Sequence, residues 1–232
     1  ADSVTDWLLQ GVRANREAAC RQGSVEVIRG PGRLIATGDL HDNPVHLARL
    51  VELAGLGPAE EVAENREQRA ESRLQGMGPT HLLLHEIIHS DRLINGMDFS
   101  FRALAKVAAL KAEFPERVHV LLANHELAQV VGAGIVKDGV KVVEAFNLGV
   151  EYVFGDDAPG VQAAIGEFIR SMPLALRCRC GAAGAGGYDI LCAHSLPSPA
   201  LMSRFDATVL TRDLTEADYE PRQGAAHLMV WG

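Results

Sequence analysis

Cysteine is scarce in this chain, and long apolar runs are missing. The four cysteines, at positions 20, 178, 180 and 192, are too few and too unevenly spaced for a disulfide framework. No stretch approaches the roughly 20 apolar residues of a bilayer span, and the acidic N-terminus lacks the basic start of a signal peptide. These absences point away from secretion and from membrane insertion, and we expect a reducing cytoplasm.

An excess of positive charge is also missing. The net charge is −8 and the pI is about 5.6, whereas a protein that binds nucleic acid or an anionic membrane needs a basic face for the phosphates. We therefore expect neither as a partner, and the oligomeric state stays open. The hydrophobic content of 47% suffices for one core, so residues 1–232 are expected to form a single domain.

Segments typical of β-strands alternate with amphipathic helical patterns. One helical stripe follows the start signal Asn43-Pro44 at i, i+3, i+4, i+7 spacing and consists of Leu47, Leu50, Val51 and Ala54. Similar stripes predict a helix before Pro115 and another that ends near Pro173. This alternation predicts an α/β fold.

Three other stretches do not take part in this alternation. Residues 57–80 are rich in charge and are expected to form a solvated helix, with a lid or partner-binding insertion as the alternative. Residues 181–187 are rich in glycine but lack the Lys-Ser/Thr of a P-loop, which favours a hairpin loop. The end, residues 227–232, is an apolar strand-like run without a polar tail, which suggests a truncated or processed chain.

Four predicted strands each lead into residues that can bind metal or transfer protons. Strand 33–37 leads to Asp39 and His41, strand 81–85 to Glu86, strand 118–123 to Asn124 and His125, and strand 189–193 to His194. Each segment alone is explained by a turn, a helix cap or a hydrogen-bonded histidine. Because sites of α/β proteins form at the carboxyl ends of strands, four such segments in one chain favour a functional site.

The residue types suit a metal site. Side chains two apart on an extended chain project to the same side, so Asp39 and His41 can bind one ion. Glu86 offers a carboxylate able to bridge two cations. The amide oxygen of Asn124 can ligate, and His125 can donate or accept a proton.

In this order the segments resemble the motifs of calcineurin-like metallophosphoesterases, above all the phosphoprotein phosphatase branch. The matching stretches are Gly38-Asp39-Leu40-His41, Glu86, Asn124-His125-Glu126, and His194 with Ser198-Pro199 downstream. The run from Met172 to Leu176 also resembles that branch's Leu-Pro-hydrophobic lead-in. The resemblance covers residues 33–232 and implies two packed mixed β-sheets flanked by helices.

The resemblance implies two divalent metal ions. Asp39 and His41 would hold the first, Asn124 and His194 the second, and Glu86 would bridge them, with Asp39 in reach of both. Manganese is the expected metal, and iron or zinc also suits these ligands.

The implied reaction is hydrolysis of a phosphomonoester on a protein or a small molecule. A water or hydroxide shared by the ions would attack phosphorus, and His125 would be the general acid. The alternatives are a dinucleoside polyphosphate hydrolase and a catalytically weak phosphatase-like domain that binds a partner.

The chain departs from the family pattern around Glu86. His85-Glu86 stands where the family has Gly-Asp, and additional residues precede Asp91-Arg92. Either His89 takes the place of the family's aspartate, or a small insertion restores Asp91 to orient His125 and Arg92 to clamp phosphate. Relatives also continue past the equivalent of residue 232, where they supply a further arginine and a further metal-binding histidine. We leave out His227 as a substitute ligand.

Overall fold

The computed structural model describes residues 1–57, 78–181 and 187–232. Most of the charged stretch predicted at 57–80 therefore lies outside the described residues, as does the middle of the glycine-rich loop at 181–187. In chain order the elements are α1 (Asp2–Glu17), β1 (Arg21–Gln22), β2 (Val25–Arg29), β3 (Arg33–Ala36), α2 (Pro44–Ala54), β4 (Thr80–Leu84), α3 (Phe101–Glu113), β5 (Val118–Val120), α4 (Asn124–Val131), β6 (Val136–Lys137), β7 (Val140–Lys141), α5 (Val142–Phe154), α6 (Ala158–Ser171), β8 (Ala175–Cys180), β9 (Tyr188–Ala193) and α7 (Ala225–Val230).

Two sheets form the centre of the fold. Strands β3, β4 and β5 form a parallel sheet, and β1, β2, β8 and β9 form a mixed sheet in which β2 runs parallel to β8 and β9 runs antiparallel to it. Leu83 of the first sheet and Leu121, which directly follows β5, pack against Leu176 and Cys178 from the second sheet. The predicted α/β fold with two packed sheets is confirmed, and within the described residues the sheet of β3 to β5 is purely parallel.

The capping signals in the sequence set the bounds of α2. The side chain of Asn43 accepts a hydrogen bond from the amide of His46 at 3.0 Å, Pro44 occupies the first turn, and Gly55 ends the helix in the left-handed region at φ +61°. Leu47, Leu50 and Ala54 are buried against the core, as the stripe predicts. This helix directly follows the loop that carries Asp39 and His41.

A charged network lies inside the core between α3 and the two sheets. Lys111 Nζ donates to Glu26 Oε1 at 2.8 Å, and His119 Nδ1 bonds the other oxygen of the same carboxylate. His119 Nε2 lies 3.0 Å from His81 Nδ1. Lys111, Glu26 and His119 are fully buried, so each charge is balanced inside the protein rather than by solvent.

The strand predicted over the last residues is wrong. Residues Ala225–Val230 form helix α7, which follows Gly224. Four of its residues are buried against the core: Ala226, Leu228, Met229 and Val230. A short, wholly apolar run fits either a buried strand or a buried helix, so periodicity alone does not separate the two.

None of the helices in the described part of the chain is long and apolar enough to span a bilayer.

Candidate metal centre

The loops after β3 and β4 are bonded to each other through their backbones. The amides of Leu40 and His41 both donate to the carbonyl of Glu86, at 3.0 and 2.8 Å, and the amide of Asp42 donates to the carbonyl of Ile87 at 2.8 Å. Because β3 and β4 are neighbouring parallel strands, their carboxyl ends lie side by side. The two loops therefore form one rigid platform for the polar side chains.

The same loops hold non-glycine residues in the left-handed region. His41, Asp42, Glu86 and His89 have φ angles of +41°, +52°, +51° and +62°. Such angles are uncommon without glycine and cost energy that surrounding contacts must offset. This strain sets the directions in which His41, Glu86 and His89 project, and a strand pattern alone does not predict those directions.

Glu86 is the centre of the cluster. Its Oε1 lies 3.4 Å from His41 Nε2 and 3.4 Å from His125 Nε2, and its Oε2 lies 3.4 Å from His194 Nδ1. Burial alone raises the pKa of Glu86, but the hydrogen bond with His41 and the neighbouring His194 and His125 outweigh it and lower the pKa to about 2. Glu86 is therefore a carboxylate at neutral pH, and each of its two oxygens can bind a different cation.

A second group joins Asp39, His85 and His194 to the other side of Glu86. His85 Nδ1 lies 3.6 Å from Asp39 Oδ1 and 3.3 Å from His194 Nδ1. The ligand atoms of these three residues and Glu86 all lie within 4.8 Å of one another. His194 comes from the end of β9 in the mixed sheet, so the cluster joins the carboxyl ends of strands from both sheets.

Sequence analysis missed His85 as a site residue. Strict alternation along a strand sends neighbours such as His85 and Glu86 to opposite faces. The left-handed conformation of Glu86 breaks this alternation and lets both side chains enter the cluster. The available signal was a histidine where the family has glycine, directly before the acid.

Backbone carbonyls orient two of the histidines. His85 Nε2 lies 3.1 Å from Thr37 O, and His41 Nδ1 lies 3.1 Å from Ile88 O. A carbonyl only accepts, so these nitrogens carry the hydrogens, and the nitrogens that face the cluster, His85 Nδ1 and His41 Nε2, keep free lone pairs when the rings are neutral. This is the arrangement of a metal-binding histidine held by an outer hydrogen bond.

His125 lies in contact with His89 rather than with Asp91. The Nδ1 atoms of His125 and His89 are 2.8 Å apart, whereas Asp91 forms an ion pair with Lys137 at 2.7 Å. Burial lowers the pKa of His125 to about 4, assisted by the positive charges of His41 and Lys137. Of the two alternatives left open by the sequence, the structure places His89 beside His125.

Arg92 lies at the rim of the platform. One guanidinium nitrogen donates to the carbonyl of Asp42 at 3.3 Å, and the side chain is exposed. The charge of Lys137 also reaches His41 and His125, and the sequence analysis did not single out this lysine. Two cations therefore border a cluster that is otherwise acidic and imidazole-rich.

The donor set fits divalent metal. Asn124 Oδ1 is buried and has no hydrogen-bond partner among the described residues, and a buried oxygen without a partner is costly unless something else binds it. Carboxylate, amide and imidazole donors suit manganese, iron or zinc. The structure brings together Asp39, Glu86 and His194 in one group and His41, Glu86 and His125 in another. Asp39 and His41 thus fall in different groups, joined by Glu86.

Another trio, Cys20, Glu26 and His119, also has ligand atoms close together. Two of its donors, Glu26 and His119, are already engaged, because Lys111 and His119 bond Glu26. Burial raises the pKa of the Cys20 thiol to about 12, and a metal needs the thiolate. This trio is better explained as part of the buried charged network.

No family model matches the chain, and no curated protein matches it. Among solved structures it is similar to a protein serine/threonine phosphatase from Saccharomyces cerevisiae, described as similar to human phosphatase PP5, with a TM-score of 0.55 and 14% identity. The match covers 97% of this chain and 57% of that one, so the chain spans little more than half the length of its structural neighbour. At this identity the match shows that the two chains share a similar fold, and no more than the fold.

Proposed function

We propose that this chain is a metal-dependent phosphoesterase that hydrolyses a phosphomonoester of a protein or a small molecule. The observation that carries the proposal is the convergence of histidines and Asp39 on the buried carboxylate of Glu86, at strand ends of both sheets. The fold similarity to a serine/threonine phosphatase supports it. Manganese as the metal and the cytoplasm as the compartment belong to the same proposal.

The metal ligands we propose are Asp39, His41, Glu86, Asn124 and His194, together with His85. Glu86 is the shared ligand, since its two oxygens face different histidines. Bound divalent cations would supply two effects, a lower pKa for a water molecule and neutralisation of phosphoryl oxygens. Arg92 at the rim offers a planar guanidinium suited to a phosphate.

His125 is proposed as the general acid. Its Nδ1 is engaged by His89, so its Nε2 faces Glu86 and the cluster. A proton on Nε2 is therefore the one placed to reach a leaving alkoxide. Asp91, paired with Lys137, has no part in this step.

The experiment loads the purified chain with manganese, removes excess ion, and measures bound metal. It also measures hydrolysis of p-nitrophenyl phosphate, of a phosphoserine peptide and of a dinucleoside polyphosphate. We expect bound metal and turnover in the native chain, and bound metal without turnover in His125→Ala. Loss of metal in His125→Ala would make His125 a ligand and overturn its assignment as the acid. Turnover of a dinucleoside polyphosphate alone, or metal binding without any turnover, would overturn the phosphomonoesterase proposal.

A further inference from the structure

Behind His125, four side chains form one continuous line of hydrogen bonds. Asn147 Oδ1 lies 2.8 Å from Gln129 Nε2, and Gln129 Oε1 lies 3.0 Å from His89 Nε2. The line ends at the contact of 2.8 Å between His89 Nδ1 and His125 Nδ1. It starts on α5, crosses α4 and reaches the loop after β4, so it joins three elements to one reacting group.

The orientation of the Gln129 amide sets the direction of each link in this line. The amide nitrogen of Gln129 donates to Asn147, which leaves the oxygen of Gln129 facing His89. An amide oxygen only accepts, so His89 carries its hydrogen on Nε2. Burial keeps His89 neutral by lowering its pKa to about 4, and a neutral imidazole has only one N–H. His89 Nδ1 is therefore an acceptor, and His125 Nδ1 must donate to it.

The consequence is a fixed tautomer at the site. With its hydrogen on Nδ1, neutral His125 presents a bare Nε2 to the cluster, where Nε2 lies 3.4 Å from Glu86 Oε1. In the opposite tautomer the hydrogen of His125 is on Nε2, and the Nδ1 atoms of His125 and His89 would face each other with lone pairs alone. The hydrogen on Nε2 would also occupy the position that must take up a proton before His125 can act as an acid.

We propose that Gln129 and His89 are positioning residues that hold His125 in its Nδ1–H tautomer. A neutral amide and a neutral imidazole would then orient His125, the role that the sequence resemblance gives to an aspartate. This inference rests on the proposed function, in which His125 is the general acid. His89 itself is 1% exposed. Gln129 is half-buried and borders a cavity of about 200 Å³, so its replacement removes a hydrogen bond without emptying the core.

The test compares Gln129→Leu with Gln162→Leu, a glutamine that borders the same cavity but takes no part in the line. The chain is labelled with ¹⁵N-histidine and loaded with zinc, which is diamagnetic, and long-range ¹H–¹⁵N spectra identify the tautomer of each imidazole. We expect His125 as Nδ1–H and His89 as Nε2–H in the native chain and in Gln162→Leu. In Gln129→Leu we expect both rings to populate both tautomers.

Kinetics provide a second readout. Gln129→Leu should lower kcat about tenfold, the loss expected for one hydrogen bond, with KM unchanged. His89→Ala should lower kcat further, and His89→Asn, which returns an acceptor oxygen, should recover part of the loss. An Nδ1 without hydrogen on His125 in the native spectrum, or identical spectra for the two glutamine variants, would overturn the proposal. Since the spectra need no turnover, an inactive chain would refute the proposed function without affecting this result.

Discussion

The carboxyl group of Glu126 accepts a hydrogen bond from the amide of Ile87 at 2.7 Å and a second from the amide of Ile88 at 3.2 Å. Glu126 is fully buried and follows His125 directly in α4. It therefore ties the helix that carries His125 to the strained turn that presents Glu86. Together with the contacts of His89 to His125 and Gln129, this side chain fixes α4 against the loop that follows β4.

Burial raises the pKa of Glu126 to about 7, although the two amide donors oppose the change. In the unfolded chain a glutamate titrates near 4.5. The folded protein thus holds an extra proton between these values, and the stabilisation it provides is complete below pH 4.5 and lost as the pH rises to about 7. Relative to Glu126→Gln, which cannot ionise, the metal-free native chain should lose roughly 3 kcal/mol of unfolding free energy over this interval.

The measurement is urea unfolding of both metal-free proteins across this pH range. Differencing the two curves removes the other titrating groups, among them the buried histidines, whose lowered pKa values favour folding as the pH rises. A difference that stays constant with pH would show that Glu126 is ionised in the folded protein.

Much of the fold, but only part of the candidate centre, can be predicted from the sequence. The capping residues Asn43, Pro44 and Gly55 predict the bounds of α2, and polar residues after four apolar strands predict where the candidate site lies. His85 and His89 were harder to place, because their directions depend on left-handed backbone angles in loops that only the tertiary contacts impose. The pattern of residues 227–232 predicts a strand where the structure has helix α7, because so short an apolar segment has neither the period of a helix nor that of a strand.

Lys111 should be far more important to stability than its charge alone suggests. Its ammonium group is fully buried and paired with Glu26. Removing it leaves the buried carboxylate of Glu26 with its bond to His119 but without the cation that balances it. We expect Lys111→Met to lower the unfolding free energy by about 3–5 kcal/mol. The matched control is Lys141→Met, since Lys141 pairs with Glu144 on the surface and should matter little. Equal effects of the two substitutions in urea unfolding would contradict this account.

Removal of His85 should weaken metal binding. Its Nδ1 faces Asp39 and His194, while its Nε2 is held by Thr37 O. We expect His85→Ala to reduce affinity for zinc by at least about tenfold, the lower end of losses seen when support for a metal site is removed. The control is His46→Ala, a histidine of α2 outside the cluster. Competition with a chromophoric chelator gives both affinities, and an unchanged affinity in His85→Ala would exclude His85 as a ligand.

Metal affinity should fall as the solution is acidified. The hydrogen bond with Glu86 raises the pKa of His41 above the ordinary histidine value, against the effect of burial. A protonated imidazole cannot bind a cation, so His41 must lose its proton when the ion enters. Zinc binding should therefore weaken as the pH falls through this raised pKa, with release of a proton that calorimetry in buffers of different ionisation enthalpy detects. In His41→Ala the proton release should shrink, and an unchanged release would assign it to another group.

Arg92 and Asp91 are neighbours in sequence, but their contacts predict different kinetic effects. Arg92 stands at the rim, bonded to Asp42 O, where its free nitrogens can meet a phosphate. We expect Arg92→Ala to raise KM for p-nitrophenyl phosphate about tenfold, the loss of a charge-assisted hydrogen bond, with a smaller change in kcat. Asp91 is exposed and paired with Lys137, so Asp91→Asn should change kcat by no more than about twofold, as is usual for a surface ion pair. If Asp91 oriented His125 instead, Asp91→Asn would lower kcat as strongly as His89→Ala. Steady-state kinetics of Arg92→Ala, Asp91→Asn and His89→Ala shows whether Asp91 or His89 orients His125.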